Sequence, residues 1–203
     1  MKQLHRQDLF NWSEFNEERN IDFHGLLWVR PEGNIIIDPV PLCRHDQEHL
    51  NNLGGAAWIV ITNSDHLRDA STIALATGAR IAGPQGEAEN FPIPCDRWLS
   101  EGDELVEGLK VLEMHGSKTP GELALLLDHD TLITGDLIRS HQAGKLCLLP
   151  DPKLNDKAKA ISSVQRLAEI PGIKAVLTGD GWPVFRDGAK VLNELLESLN
   201  RDS

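Results

Sequence analysis

A group of polar side chains follows a short apolar segment between Ala57 and Ala70, in the sequence AWIVITNSDHLRDA. The apolar residues 58–61 predict a buried strand, so the polar residues would stand at its carboxyl end. They are Asn63, Ser64, Asp65, His66 and Arg68. In open α/β sheets, ligands bind at that edge because the loops there carry polar groups on a rigid scaffold. The sequence therefore nominates a site, without fixing its reaction.

Two other apolar segments also end in an aspartate just past a predicted strand. The sequence ITGD at 133–136 is repeated as LTGD at 177–180, and residues 61–65 nearly repeat it. If the three strands share an edge, Asp65, Asp136 and Asp180 converge there. Clustered carboxylates repel each other, so they need a bound cation or nearby Arg and Lys side chains. The alternatives are therefore a metal site and an internal network of ion pairs.

The elements that would position these residues are short strands and helices. A hairpin is predicted over residues 22–30 and 33–37, with its turn at Pro31-Glu32-Gly33. A short helix over 44–53 comes next, and the central strand at 57–61 follows it. The middle of the chain has the turn-rich pattern of antiparallel strands. Further strands are predicted at 80–82, 103–106, 109–115, 122–127, 131–134, 145–149 and 174–178, and further helices at 70–77, 156–169 and 186–200.

This order of elements predicts a mixed α/β (α+β) fold with one domain over residues 1–203. Strands outnumber helices, yet helices close both halves, so sheets covered by helices on both faces fit better than a doubly wound parallel sheet. With 203 residues, of which 40% are hydrophobic, the chain can bury one sizeable core.

The charge and the cysteines exclude several classes of protein. A net charge of −11 gives no basis for binding nucleic acid or an anionic membrane. The polar start, MKQLHRQDLFNW, does not resemble a secretory signal, and no apolar run is long enough to span a bilayer, so we expect a cytoplasmic protein. Cys43, Cys95 and Cys147 lie far apart, which argues against disulfides and a structural zinc site.

Four short motifs, in order, resemble those of the metallo-beta-lactamase-fold hydrolases. In that family a strand ends in Thr-His-x-His-x-Asp-His, and His-Thr-Pro-Gly, Thr-Gly-Asp and Gly-His-Gly follow. This chain has TNSDHLR at 62–68, KTPG at 118–121, TGD at 134–136 and GDG at 179–181, and Ile37-Asp38-Pro39 resembles an early family turn. The resemblance covers most of residues 22–192. It implies a four-layer αββα sandwich, with mixed sheets covered by helices on both faces.

The departures from the family pattern fall on the metal-binding positions. In the ungapped register, the family's histidines correspond to Asn63, Asp65, Arg68, Lys118 and Asp180, and its loop aspartate corresponds to Leu67. Only Asp136 is unchanged. Arginine, protonated lysine and leucine have no lone pair for a metal, so a full dinuclear zinc site is not expected. A gapped register would instead match Asp65-His66 to the family's Asp-His pair.

Two functions stay open. The first is a metal-dependent hydrolase with a degenerate site for one divalent ion, in which Asp65, His66 and Asp136 are catalytic and Asp65, Asp136 and Asp180 hold the metal. Such an oxygen-rich set suits Mn, Mg or Fe better than zinc. The family acts on lactams, thioesters, phosphodiesters and lactones, which leaves the substrate open. The second is a metal-free protein that binds a small ligand or regulates a partner.

In the second function, cations replace the charge of the metals. Arg68 and Lys118 would balance the aspartates through charge-assisted hydrogen bonds. The remaining candidate ligand-binding residues are Asn63, His115 and Trp182. Each residue also has an ordinary alternative: the aspartates can cap turns, His66 can start a helix, and His115 can simply end a strand. His24, His45, His49 and His129 are expected at the surface.

Overall fold

The computed structural model describes residues 1–201, and it contains thirteen strands and four α-helices over that range. The strands are β1 (Lys2–Gln3), β2 (Leu9–Asn16), β3 (Ile21–Trp28), β4 (Ile35–Ile37), β5 (Trp58–Val60), β6 (Arg80–Pro84), β7 (Arg97–Leu99), β8 (Leu109–Glu113), β9 (Leu123–Leu127), β10 (Thr131–Thr134), β11 (Ile138–Gln142), β12 (Lys145–Leu148) and β13 (Ala175–Thr178). The helices are α1 (Arg44–Asn52), α2 (Ala70–Thr77), α3 (Lys157–Ala168) and α4 (Gly188–Arg201).

The strands form two main sheets and a small ribbon. The first sheet follows chain order from β1 to β7, antiparallel through β4 and parallel from β4 to β7. The second has the order β13-β10-β9-β8, in which only β13 and β10 run parallel. Strands β11 and β12 pair as a separate two-stranded ribbon.

Alternation along the strands divides the core into three apolar layers. In β3, Leu26 and Trp28 face the second sheet, whereas Leu27 faces the outer side. The outer layer of the first sheet also contains buried residues of α1 and α2, including Leu50 and Ile73. The far face of the second sheet is covered by α3 and α4, through Val164, Leu192 and neighbouring residues. The molecule is thus a four-layer αββα sandwich, and the predicted fold class is confirmed.

A side-chain cap and a glycine set two of the helix ends. Asp156 caps α3, because its side-chain oxygen accepts a hydrogen bond from the amide of Lys159 at 3.0 Å. Gly78 ends α2 in the left-handed conformation at φ +73°. None of the four helices in residues 1–201 combines the length and apolar composition that a bilayer span requires.

Several predicted elements differ from the structure. Strand β2 was not predicted, because its polar residues hide the alternation that buries Leu9 and Trp12. The strand predicted at 103–106 is wrong, since one isolated bridge from Glu104 to Lys110 is all that forms there. The single-domain prediction extends to residues 202–203, which lie outside the described residues, and it stays a prediction.

The topology brings the carboxyl ends of four strands to one edge of the sandwich. Asp38 follows β4, and the loop after β5 begins beside it because these two strands are parallel. Asp136 and Asp180 follow β10 and β13, which are parallel neighbours in the second sheet. The amide of Leu123 donates to the carbonyl of Thr62 at 2.8 Å and ties the two sheets together at this edge. The three expected strands therefore meet across two sheets instead of within one.

Candidate functional site

The loop after β5 contains a short 3-10 helix, Ser64–His66. Asn63 caps it, because its side-chain oxygen accepts a hydrogen bond from the amide of Asp65 at 3.0 Å. The amide of Ser64 donates to the carboxylate of Glu87 at 3.0 Å. This conformation buries His66 and leaves the side chain of Asp65 53% exposed at the mouth of a cleft. Asn63, a predicted ligand-binding residue, is fully buried.

His66 lies between two buried carboxylates. Its Nδ1 is 2.8 Å from Asp38 Oδ2, which also accepts a hydrogen bond from the hydroxyl of Thr62, and its Nε2 is 3.5 Å from Asp136 Oδ2. Burial alone would lower the pKa of His66, but Asp38 and Asp136 raise that pKa to about 9. At neutral pH the ring is therefore an imidazolium, which has no lone pair to accept a proton or to bind a metal.

Lys118 bridges the two aspartates of the cleft. Its Nζ lies 2.5 Å from Asp65 Oδ2 and 2.9 Å from Asp136 Oδ2. Burial opposes the charged forms, yet His66 and Lys118 hold the pKa of Asp136 well below its usual value, and Asp136 and Asp65 raise the pKa of Lys118. Together with Asp38, these residues form what we call the alternating chain: Asp38, His66, Asp136, Lys118 and Asp65, with charges that alternate in sign.

Asp180 does not join this chain. Its buried carboxylate is paired with the guanidinium of Arg139, which donates through Nε to Oδ2 at 2.7 Å and through a second nitrogen. Arg139 comes from β11 and was not predicted as a site residue. It stands three residues after Asp136 in the sequence, but that spacing alone did not indicate which carboxylate it would meet.

Arg68 was expected to form hydrogen bonds with the aspartates of the site, and this was wrong. Its guanidinium donates to the main-chain carbonyls of His24, Asp38 and Gly179 at 2.8–3.2 Å, and within residues 1–201 it forms no hydrogen bond to a carboxylate. Burial lowers the pKa of this group, and the nearby aspartates partly offset that effect. Arg68 thus closes the back of the cleft by binding backbone oxygens from three different segments.

Two predicted ligand-binding residues lie outside the cleft. His115 is exposed, its amide donates to the hydroxyl of Ser163 at 2.8 Å, and it lines a separate depression beside α3. Trp182 is 60% exposed and lines a neighbouring groove. His24 was predicted at the surface, and this was wrong: it is 8% exposed, and its Nε2 lies 2.6 Å from the carbonyl oxygen of Gly181.

The buried carboxyl group of Glu122 lies behind the site and was not predicted from the sequence. Glu122 is fully buried, and it accepts hydrogen bonds from the hydroxyl of Ser117 at 2.5 Å and the amide of Leu137 at 2.8 Å. Burial, with the nearby charge of Asp136, raises the pKa of Glu122 to about 7. It directly follows the Thr-Pro-Gly turn, but a lone glutamate at the start of an apolar strand gives no signal of its own.

The cleft has a volume of about 570 Å³. It is lined by Glu14, Asn16, Glu18, Arg19, Phe23, Val40, Pro41, Asp65, His66, Arg68, Asp69, Lys118 and Asp136. Most of its lining is polar or charged, which suits a small polar ligand. Within residues 1–201, no three His, Cys, Asp or Glu side chains are arranged so that they could hold a metal ion.

A family model described as the metallo-beta-lactamase superfamily matches residues 1–199. The chain belongs to this superfamily. This confirms the resemblance drawn from the sequence motifs, and with it the hydrolase family to which the chain is related.

Among curated proteins, this superfamily member is similar to hydroxyacylglutathione hydrolases of two bacteria. It is 30% identical to the protein of Cereibacter sphaeroides over 122 residues, which is 58% of this chain and 44% of that protein. It is 29% identical to the protein of Rhodobacter capsulatus over 126 residues, 60% of this chain and 46% of that protein. The match therefore spans less than half the length of these relatives.

Solved metallo-beta-lactamases share the fold over almost the entire chain. The enzyme from Pontibacter korlensis superimposes with a TM-score of 0.75 at 19% identity, covering 98% of this chain and 97% of the other. The metallo-beta-lactamase DIM-1 gives a TM-score of 0.75 at 17% identity, covering 98% and 95%. At these identities the likeness concerns the fold alone.

Proposed function

We propose that this chain is a metal-free member of the metallo-beta-lactamase superfamily that binds a small polar ligand in its cleft. One observation carries the proposal: the ammonium group of Lys118 lies between Asp65 and Asp136, within 2.9 Å of both. An ammonium group and a divalent ion cannot both occupy that position. The positive charge that the carboxylates require is therefore supplied by the protein itself.

The other potential ligands do not suit a metal either. His66 is an imidazolium held by Asp38, and Asp180 is paired with Arg139. A metal ion would have to displace the partly exposed Lys118 and the buried Arg139, and remove a proton from His66, whose pKa is about 9. The donor set thus does not fit the metal centre that the superfamily implies.

Metal content and stability provide the first test. Protein purified from cells grown with added zinc should contain far less than one transition metal ion per chain by elemental analysis. Its melting temperature should not change with a chelator or with added Zn²⁺ or Mn²⁺. Stoichiometric metal in the purified protein would refute the proposal.

Removal of the ammonium group provides the second test. Lys118→Ala leaves Asp136 buried without its closest cation, so the free energy of unfolding should fall by about 2 kcal/mol, a value discounted for partial exposure. Lys157→Ala, which breaks the exposed pair with Asp151, is the matched control and should change the stability by less than about 1 kcal/mol. Equal losses in the two variants would count against a bridging role for Lys118.

The ligand is tested with a panel of small amino acids, amines and carboxylates. A compound that raises the melting temperature of the wild-type protein, and has no effect on Asp65→Asn, would support binding in the cleft. We propose a small molecule as the partner, in keeping with the net charge of −11, and we do not include nucleic acid or membrane among the partners.

A metal-dependent hydrolase is the second candidate. It is favoured by similarity to proteins named hydroxyacylglutathione hydrolases and by the aspartate that the superfamily motif shares at Asp136. In this case, added metal would raise the melting temperature of the wild-type protein, and Asp136→Ala would abolish that rise. The two candidates therefore predict opposite outcomes in one measurement.

A further inference from the structure

A second and larger cavity, of about 880 Å³, lies outside the cleft. We call it the Trp182 groove, and its walls include Lys2, His5, Trp12, Trp182, Phe185 and Arg186. It shares no lining residue with the cleft, so an inference about it does not depend on the proposed function. Its volume falls in the range of roughly 300–1,000 Å³ that is typical of small-molecule sites.

The groove presents large aromatic rings to solvent. Trp182 is 60% exposed and Phe185 is 39% exposed, although large apolar side chains are usually buried when the fold permits it. The ring of His5 lies 5.6 Å from that of Phe185 and extends the aromatic surface. These rings offer stacking partners to a flat ligand.

The backbone that carries Trp182 is fixed on both sides. The amide of Trp182 donates to the carbonyl of Ser140 at 2.7 Å, and the amide of Gly181 donates to the carbonyl of Asp22 at 2.9 Å. The Nε2 of His24 lies 2.6 Å from the carbonyl oxygen of Gly181. The exposed ring is therefore presented by a rigid segment, and binding would cost little conformational entropy of the backbone.

The charge of the groove is opposite in sign to that of the molecule. Lys2 and Arg186 are exposed, and neither has a carboxylate partner in residues 1–201. Of the two carboxylates at the groove, Asp46 is bound by the amino group of Met1, so the remaining carboxylate, Asp22, faces two cations that have no carboxylate partner among the described residues 1–201. A local positive excess on a chain of net charge −11 favours an anion at this place.

We propose that the Trp182 groove binds a planar aromatic ligand that carries an anionic group. The ring stacks on Trp182 and Phe185, and the anion pairs with Lys2 and Arg186. An aryl carboxylate and a nucleoside monophosphate share this chemistry, and both serve as probes.

Isothermal titration calorimetry of the full chain with 2-naphthoate and with adenosine monophosphate tests the proposal, and uncharged 2-naphthamide is the charge control. We expect saturable one-site binding of at least one anion, and the tighter of the two identifies its class. Trp182→Ala should weaken binding of that anion about tenfold. Arg186→Gln should weaken the anion about threefold and leave 2-naphthamide unchanged.

Leu75→Ala and Asp65→Asn are the matched controls, because Leu75 is 89% exposed away from the groove and Asp65 belongs to the cleft. Both should bind the anion as the wild type does, and circular dichroism should show that every variant is folded. Three results would overturn the proposal: no saturable binding of either anion, equal affinity for 2-naphthamide, or unchanged affinity in Trp182→Ala.

Discussion

At the scale of single residues, the site is a set of opposite charges that are paired with one another. In the alternating chain every cation lies between two carboxylates, and Asp180 has its own guanidinium. Such pairs offset the cost of burying each charge, so removal of one member is expected to cost more than the pair contributes. Glu122 is the exception, because both of its hydrogen-bond donors are uncharged.

Glu122 gives the protein a pH-dependent stability. Its pKa is raised from 4.5 to about 7, so the folded state favours the protonated carboxyl group. This stabilisation is complete below pH 4.5 and is lost as the pH rises to about 7, with a total of about 3 kcal/mol. Urea unfolding at pH 4.5 and 7 measures it as the difference between the wild type and Glu122→Gln, because the lowered pKa values of His5 and His24 change the stability of both proteins in the opposite direction.

Two features keep this prediction specific. His66 loses its own stabilisation as the pH rises from 6.5 to about 9, which is mostly a higher window. Glu197→Gln, at an exposed carboxylate, should retain the wild-type pH profile. A profile of Glu122→Gln that matches the wild type would mean that another group titrates.

The residues of the site were only partly predictable from the sequence. Motif order nominated Asp65, Lys118 and Asp136, and the structure brings these three together. The partners of Arg68 and Asp180 could not be predicted, because the long side chains of Arg68 and Arg139 can each reach several hydrogen-bond acceptors. The buried groups Asp38, Glu122 and Arg139 lie after β4, before β9 and in β11, and their positions near the site depend on tertiary packing that no local pattern encodes.

At the scale of elements, one turn links the second sheet to the ribbon of β11 and β12 beside the Trp182 groove. Gly181 has φ +81°, and a Cβ atom there would overlap the carbonyl oxygen of Ser140 in β11. Only glycine fits such a close approach of two backbones in the left-handed conformation. The close backbone approach of the segment after β13 to β11 therefore requires glycine at position 181.

Gly181→Ala should therefore lower the free energy of unfolding by more than the strain of an alanine in the left-handed conformation alone. We expect a loss of about 3 kcal/mol, which combines conformational strain with the displacement of β11. Gly144→Ala is the control, since Gly144 has φ +75° in a turn where a Cβ would meet nothing within 4 Å, and it should lose about 1 kcal/mol. Chemical denaturation measures both, and equal losses would contradict this account.

Elements with strong periodicity were predicted well, and polar edge strands were not. The strand at 131–134 was predicted with the same bounds as β10, and the helix at 70–77 matches α2. Strand β2 lies near the edge of its sheet, and its exposed residues dilute the apolar alternation. It pairs over eight residues with β3, the next strand in the chain, so its place in the sheet is set by this hairpin and not by its own apolar pattern.

At the scale of the whole molecule, stability comes from the apolar layer between the two sheets. Residues of both sheets meet there, among them Ile35, Val60, Leu125 and Leu177, each of which is fully buried. The four-layer sandwich was predictable because each sheet needs cover on both faces, whereas the strand order inside each sheet was not.

Leu125→Ala should be strongly destabilising, because it opens a cavity in this central layer. We expect the free energy of unfolding to fall by about 3 kcal/mol, within the range found for buried leucines. Leu75→Ala, at a side chain that is 89% exposed, should be almost neutral. Guanidinium chloride unfolding of the two variants makes the comparison. A small loss in Leu125→Ala would mean that the layer can close around the missing methyl groups.

The pairing of Asp180 with Arg139 has an evolutionary consequence. The two cations that neutralise the aspartates, Lys118 and Arg139, belong to different segments of the chain. Replacement of either one alone leaves a carboxylate without its cation before a metal ion could be coordinated, and this destabilises the protein. Under the proposed metal-free function, a lineage that carries both cations would have to replace both to gain metal ligands at these aspartates, and each single replacement would first be destabilising.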